Sequence, residues 1–437
     1  MHPLIENAKR TVDQAELYWN RAHSIAVRYE NYRLQQVTEN DVSEASLRVI
    51  KDGKIGSAYS VFPDQKEFLD NAITGAEYGD PVQYSFAGSA DYPDLDTHDE
   101  ATAQLQSANL IEVCETIKSK LKKQLPDVAL GIGADCQQAE LSIQTTNGAD
   151  ANAKSTSAGY YFGAPFKGAG IGVFKFESGI APTFASDELL DEFVTWYNWG
   201  NRTSTPSTGR LPVILVPQAA FLMMMPLLAG VSGETVWKET SPLAQRLGEK
   251  ILSDKLTILD NPLLANNVDA RAFDDEGVAC AKRVIIENGV LKDFLFDQRV
   301  GAAMGQSSTG NGFKRTMFGS GNETAVNPWF GCPTINPGDT SWRDLVKGIK
   351  EGLLITGGMG FHSGNYPQGQ FAVQAVGFHI VNGSVVGRLD KTMISGNIYE
   401  DCQQIGALSS ETGPCGGFLP LGEAPYILID SLQVAGK

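Results

Sequence analysis

Apolar and polar residues alternate along several stretches of the chain and recur at helical spacing along others. Residues 4–22 read as an amphipathic helix, and SIAVRYENYRLQQV (24–37) alternates as a half-buried strand does. SLRVIKDGKIGSAYSV (46–61) is a hairpin signal, because Asp52-Gly53 supplies a positive-φ turn between two alternating runs. Helices are predicted at 63–76 and 101–124, and the acidic, aromatic DYPDLDTHDE (91–100) reads as an exposed connection. From 129 to 180 the pattern is β again, with Asn147-Gly148 as a turn and IGVFKFES (171–178) as the last strand. Residues 185–202 then read as a helix with Ser186 as N-cap. TSTPSTGR (203–210) has no periodicity and predicts a linker between an N-terminal domain (1–202) and a C-terminal domain (211–437). The second half repeats the Asn-Gly device at Asn288-Gly289 and Asn382-Gly383, is punctuated by glycine after Gly301, and carries one helix around 340–352. The fold class that follows is α+β, an N-terminal α/β domain followed by a β-rich, barrel-like C-terminal domain.

One run departs from this alternation. In LPVILVPQAAFLMMMPLLAGV (211–231) the only polar side chain is Gln218. Its length would span a bilayer. Pro212, Pro217 and Pro226 argue instead for a buried strand (Val213–Val216), a break, and a buried helix from the AAFLMMM segment on. Composition agrees with a globular chain: 437 residues, 42% hydrophobic and 20% charged. The N-terminal residues contain no apolar segment of signal-peptide type, so a cytoplasmic location is expected. The six cysteines (114, 136, 280, 332, 402 and 415) form no CxxC pair, which predicts reduced thiols. A formal charge of −16 repels phosphate backbones, so no nucleic-acid partner is expected, and no membrane partner either.

Several segments together resemble the TldD/PmbA family. They are FDDEGVACAKRVIIENGVLKDFLFDQRVGAAMG (273–305) with STGNG (308–312), GEKILSDKLTILDNP (248–262), ILIDSLQVAG (427–436) and, more loosely, LRVIKDGKIG (47–56). GETVWKETS (233–241) is similar to the PmbA branch, also called TldE. The resemblance implies a two-component zinc peptidase acting on small or unfolded peptides, in a family once labelled modulator of DNA gyrase. It implies dimers with a cleft between subunits. In TldD-type subunits a helix carries His-Glu-x-x-x-His and a cysteine near the C-terminus completes the zinc site. Here those positions fall on Met224 and Ala229 for the histidines and Met225 for the glutamate. The five histidines are 2, 23, 98, 362 and 379, so none lies near this helix in sequence, and 211–233 holds no carboxylate. A thioether suits Cu(I) rather than zinc, and zinc chemistry also needs a base.

The stretch therefore reads as a site whose metal ligands have become packing, with no catalytic residue and no cofactor in this chain. Zinc is expected in a TldD-like partner. Cys415, in GPCGG, matches the family's C-terminal cysteine and reads as a small buried thiol; the alternative is a ligand in a rearranged metal site with His362 or His379. Gly310, Asn311 and Gly312 are candidates for lining a peptide groove, an ordinary turn being the other reading. Asp274-Asp275-Glu276 reads as a solvated corner before a glycine turn, cation binding being its alternative. Three functional classes stand open: a non-catalytic partner of a TldD-like subunit (or a homodimer) that binds a peptide at a sheet edge; an autonomous metallopeptidase; and a non-proteolytic protein acting on gyrase or an antitoxin.

Overall fold

A computed structural model describes residues 2–61, 65–317, 319–361, 364–416 and 422–436. Its N-terminal part is one antiparallel sheet of six strands: β1 (Gln14–Glu30), β2 (Arg33–Lys51), β3 (Lys54–Ser60), β4 (Gly131–Thr145), β5 (Asp150–Pro165) and β6 (Gly172–Gly179), in the order β3-β2-β1-β4-β5-β6. Side chains alternate between its faces. One face carries Ala15, Leu17, Ile25, Val27, Ile132, Ala134 and Phe162, all buried. Helices α1 (Pro3–Ala8) and α2 (Gln65–Glu77) cover one end of the sheet. After the short α3 (Glu100–Ala103), α4 (Ser107–Gln124) and α5 (Asp187–Trp199) cover the other.

Three expectations fail here for tertiary reasons. The helix expected over 4–22 stops at Ala8, because 14–30 finds partners on both edges, from Gln14↔Ile50 and from Glu16↔Thr145 onward. Pairing overrides local propensity. The single strand expected at 24–37 is instead a hairpin that reverses at Asn31 and Tyr32, both at positive φ (49° and 63°), a turn unmarked by glycine. The helix expected at 340–352 is only Trp342–Lys347, because the chain leaves it to enter the strand Glu351–Met359. The glycine-marked turns form as read. Asp52-Gly53, Asn288-Gly289 and Asn382-Gly383 each have both residues at positive φ, and the Ser186 hydroxyl accepts the Leu189 N–H to cap α5.

In the stretch 203–210, β7 (Thr203–Ser204) pairs with Arg388 and Leu389, and β8 (Gly209–Leu215) begins at its end. Both belong to a second, twelve-stranded sheet. Five of its members close a ring: Glu423–Ala435 pairs with β8, β8 with Glu351–Met359, that strand with Gln370–Val381, and this one through Met393–Asn397 back to Glu423–Ala435. A closed ring leaves no exposed sheet edge where its strands are paired. The second half is thus barrel-like, as expected. Among the described residues no helix is long and apolar enough to cross a membrane.

Candidate functional site

The apolar run divides as its prolines dictate. β8 ends at Leu215, Pro217 opens a single 3-10 turn, and α6 (Phe221–Val231) follows. Pro226 lies inside α6, where it cannot donate to the preceding turn. Helix α6 is packed at Gly230, where a Cβ would overlap the Tyr399 hydroxyl, and Ser241 donates to the Gly230 carbonyl at 2.6 Å. Met223, Met224 and Met225 are all buried.

Two cavities meet this helix. The larger, of about 1000 Å³, is bounded by Phe221 and Met225 of α6, by β4–β6 through Asp135, Tyr161, Phe174 and Phe176, and by Thr356–Gly358. The smaller, of about 430 Å³, is lined by Met225, Leu228 and Ala229. Met225 forms a wall common to both, Ala229 faces the smaller, and Met224 is turned into the core and lines neither. Around the larger cavity Gln218 donates to the Thr356 carbonyl at 2.8 Å, and the Gly416 N–H reaches the Gln218 carbonyl at 3.3 Å.

These walls do not fit a zinc ion. Helix α6 presents a thioether and apolar groups where imidazoles and a base would be needed. Cys415, next to Gly416, is 1% exposed, and burial raises its thiol well above the usual range, against the thiolate a metal requires. Among the described residues no three His, Cys, Asp or Glu side chains are grouped to hold a metal ion. His362 lies outside the described residues. His379 is buried on the strand Gln370–Val381, its Nδ1 2.8 Å from the Ser204 hydroxyl and its Nε2 3.4 Å from Glu351; it lines neither cavity.

Gly310, Asn311 and Gly312 are buried, which does not support a groove-lining role for them. The Asn311 amide donates to Asp260 at 2.6 Å and to the Trp329 carbonyl at 3.0 Å. Gly310 has φ +72° and backs onto the Ala279 carbonyl, while a Cβ on Gly312 would press on Glu276. The glycines are there for close approach.

The acidic triplet is no solvated corner. Asp274, Asp275 and Glu276 are all buried, and Glu276 ties this loop of the second half to the N-terminal sheet. Glu276 accepts from Arg48 on β2 at 3.1 Å and from the Gln298 N–H at 2.7 Å. Arg48 also grips Glu16 on β1 through two 2.7 Å bonds. Asp274 accepts the N–H groups of Glu276, Val278 and Gly312, and Lys314 reaches Ser46 at 3.0 Å. Burial raises Asp274 well above the carboxylate range, brings Glu276 to about 7, and lowers Lys314 to about 8. The sequence signal for this latch was two charges, Glu16 and Arg48, each flanked by apolar strand residues; their pairing lies across a hairpin and could not be read.

The chain matches two family models. One, described as the PmbA/TldA metallopeptidase C-terminal domain, covers residues 208–436, and the other, PmbA/TldA metallopeptidase domain 1, covers 15–76. It is 24% identical to a metalloprotease of Methanothermobacter thermautotrophicus over 97% of this chain and 96% of that one. It is 29% identical to a zinc metalloprotease TldD homolog of Saccharolobus solfataricus over 53% of each. Among solved structures it superposes on TldE from Thermococcus kodakarensis with a TM-score of 0.91 at 26% identity, covering 99% of both chains.

Proposed function

The chain belongs to the TldD/PmbA family of metallopeptidases, and from that premise we propose that it is a TldE-like, non-catalytic subunit. On this reading it shapes a peptide-binding chamber and leaves the zinc chemistry to a TldD-like partner. The carrying observation is the wall of α6. Where the family resemblance aligns a His-Glu-x-x-x-His motif, Met225 and Ala229 face the cavities and Met224 faces the core.

A chamber of about 1000 Å³ has room for a short stretch of extended peptide. It also offers a backbone edge. β8 pairs with Glu351–Met359 only through Leu353, Leu354 and Ile355. Beyond Ile355 that edge has no strand partner among the described residues, while its other edge stays paired with Gln370–Val381 as far as Met359. Gly357 and Gly358 on this stretch line the cavity. An added peptide strand would satisfy the free backbone groups and hold its substrate largely irrespective of sequence.

The test is zinc content and peptide cleavage, measured on the purified chain and on the chain mixed with a TldD-type subunit. The expected result is no stoichiometric zinc and no cleavage alone, with cleavage appearing in the mixture. Stoichiometric zinc and chelator-sensitive cleavage by the chain alone would replace this reading with an autonomous peptidase.

A further inference from the structure

The floor of the chamber is unlike its walls. Across β4, β5 and β6 the register sets Gly131, Gly163 and Phe174 in one row, Gly133, Tyr161 and Phe176 in the next, and Asp135, Gly159 and Ser178 in the third. Glycines in the first two rows let the aromatic rings lie flat along the sheet. Tyr161 covers Gly133, and Phe174 rests on Gly163. The ring centroids of Tyr161 and Phe174 are 5.6 Å apart, and those of Phe174 and Phe176 are 5.8 Å apart. This is a continuous π surface, and Asp135 stands beside it.

Asp135 and Ser178 also line a second cavity, of about 640 Å³, that runs on along the same sheet face. Asp135 thus marks the place where the two spaces join. No described hydrogen bond or ion pair engages its carboxylate. It is accessible to solvent, yet the surrounding walls withdraw enough water to raise its carboxyl above the usual range. The described lining of the larger cavity contains two carboxylates, Asp135 and Glu177, and no lysine, arginine or histidine. Glu177 is already committed, accepting the Tyr160 hydroxyl. The nearest cation in register on this face, Arg28 opposite Gly133, is held by Glu30. In the second cavity Lys154 is paired with Glu140 and Arg271 with Asp275, while Asp94, Asp96, His98 and the phenols Tyr18 and Tyr92 are its other titratable lining besides Asp135.

A lone carboxylate beside a row of neighbouring, mutually tilted aromatic rings is suited to an alkyl guanidinium or ammonium. The carboxylate supplies the counter-charge, and the rings attract the cation and pack its alkyl stem. We infer that Asp135 and the Tyr161–Phe174–Phe176 surface select peptide segments that carry a basic side chain, arginine or lysine, at the residue lying over this floor. The inference rests on the peptide-chamber reading. Strand addition at Gly357–Met359 fixes the peptide backbone irrespective of sequence, and Asp135 adds the side-chain preference.

Isothermal titration of the full chain with three capped, alanine-based hexapeptides tests it, the peptides differing only in a central arginine, glutamine or glutamate. The wild type is expected to bind the arginine peptide about tenfold more tightly than the glutamine one, a half-shielded ion pair exceeding the surface median. The glutamate peptide should bind weakest. Asp135→Asn should bring the arginine peptide down to the glutamine level without changing the glutamine peptide, and Asp135→Lys should invert the order. Equal binding of the arginine and glutamine peptides by the wild type, or a preference that survives Asp135→Asn, overturns the inference and leaves the chamber intact. Failure of all three peptides to bind removes the chamber reading and this inference with it.

Discussion

Met224 and Met225 are adjacent and chemically identical, and the fold gives them different surroundings. Met224 is fully enclosed, so Met224→Ala leaves a void and should cost about 2–4 kcal/mol in urea denaturation. Met225 already borders two cavities, so Met225→Ala should cost about 1 kcal/mol less. Equal losses would mean that the cavities are closed in solution. Cys415 is buried with its thiol desolvated, which makes it a poor ligand and a poor nucleophile. Cys415→Ala should leave the zinc content unchanged and cost about 1 kcal/mol, near the transfer value of one small apolar group. All six cysteines are buried, so thiol reagents should titrate none of them until the chain unfolds. A single fast-reacting thiol in the native protein would contradict this.

At the level of elements, the seam between the N-terminal sheet and the loop 274–276 is polar where a sequence reader expects solvent. Arg48 is the common partner of Glu16, its neighbour across the β1–β2 pair, and of Glu276 on a loop of the second half. Arg48→Ala strands two buried carboxylates and should cost about 3–5 kcal/mol, whereas removing charge on the acid side with Glu276→Gln should cost less. The same seam sets a pH dependence. Burial raises Glu276 from the ordinary 4.5 to about 7, so between those values the folded chain holds a proton that the unfolded chain has released. Stability from this group is therefore highest below pH 4.5 and falls as pH rises towards 7, by up to about 1.4 kcal/mol per unit. Asp274 and Asp297, raised by the same desolvation, act in the same direction. Denaturation midpoints measured across this range should show a shallower fall in Glu276→Gln than in the wild type. An unchanged slope would place the titrating group elsewhere.

For the whole molecule, one apolar core runs from Ile25, Phe162 and Trp196 of the N-terminal part into Ile214, Leu354 and Phe378 of the second sheet. Trp196 stands at the crossing, its ring 6.0 Å from Phe378 and 6.3 Å from Trp342. A shared core couples the two halves, so calorimetry is expected to give one main unfolding transition. Two resolved transitions would mean that the halves fold independently. The chamber is a property of the same scale, bounded by elements from both halves. An added Cβ at Gly357 meets open space, so Gly357→Phe should occupy the chamber and abolish peptide binding while leaving the melting temperature within about 2 °C of wild type. Peptide binding that survives this substitution would move the site elsewhere.

What the sequence by itself determined is local or cumulative. Turns marked by Asp-Gly or Asn-Gly can be read because only those residues accept two successive positive φ values cheaply. The strand–break–helix division of 211–231 follows from its prolines, and the family follows from four motifs in order. Tertiary structure decided whatever depends on which distant segments meet. It drew 14–22 into a strand by giving it two partners, where periodicity alone suggested a helix. It buried Asp274, Asp275 and Glu276, because the Arg48 guanidinium and the Lys314 backbone N–H arrive from other parts of the chain to bond Glu276 and Asp275. It turned Met225 towards open space and Met224 away from it, and it set Asp135 beside aromatic rings on neighbouring strands. A side chain's charge and size belong to the sequence. Its solvent and its neighbours belong to the fold, and on those its chemistry depends.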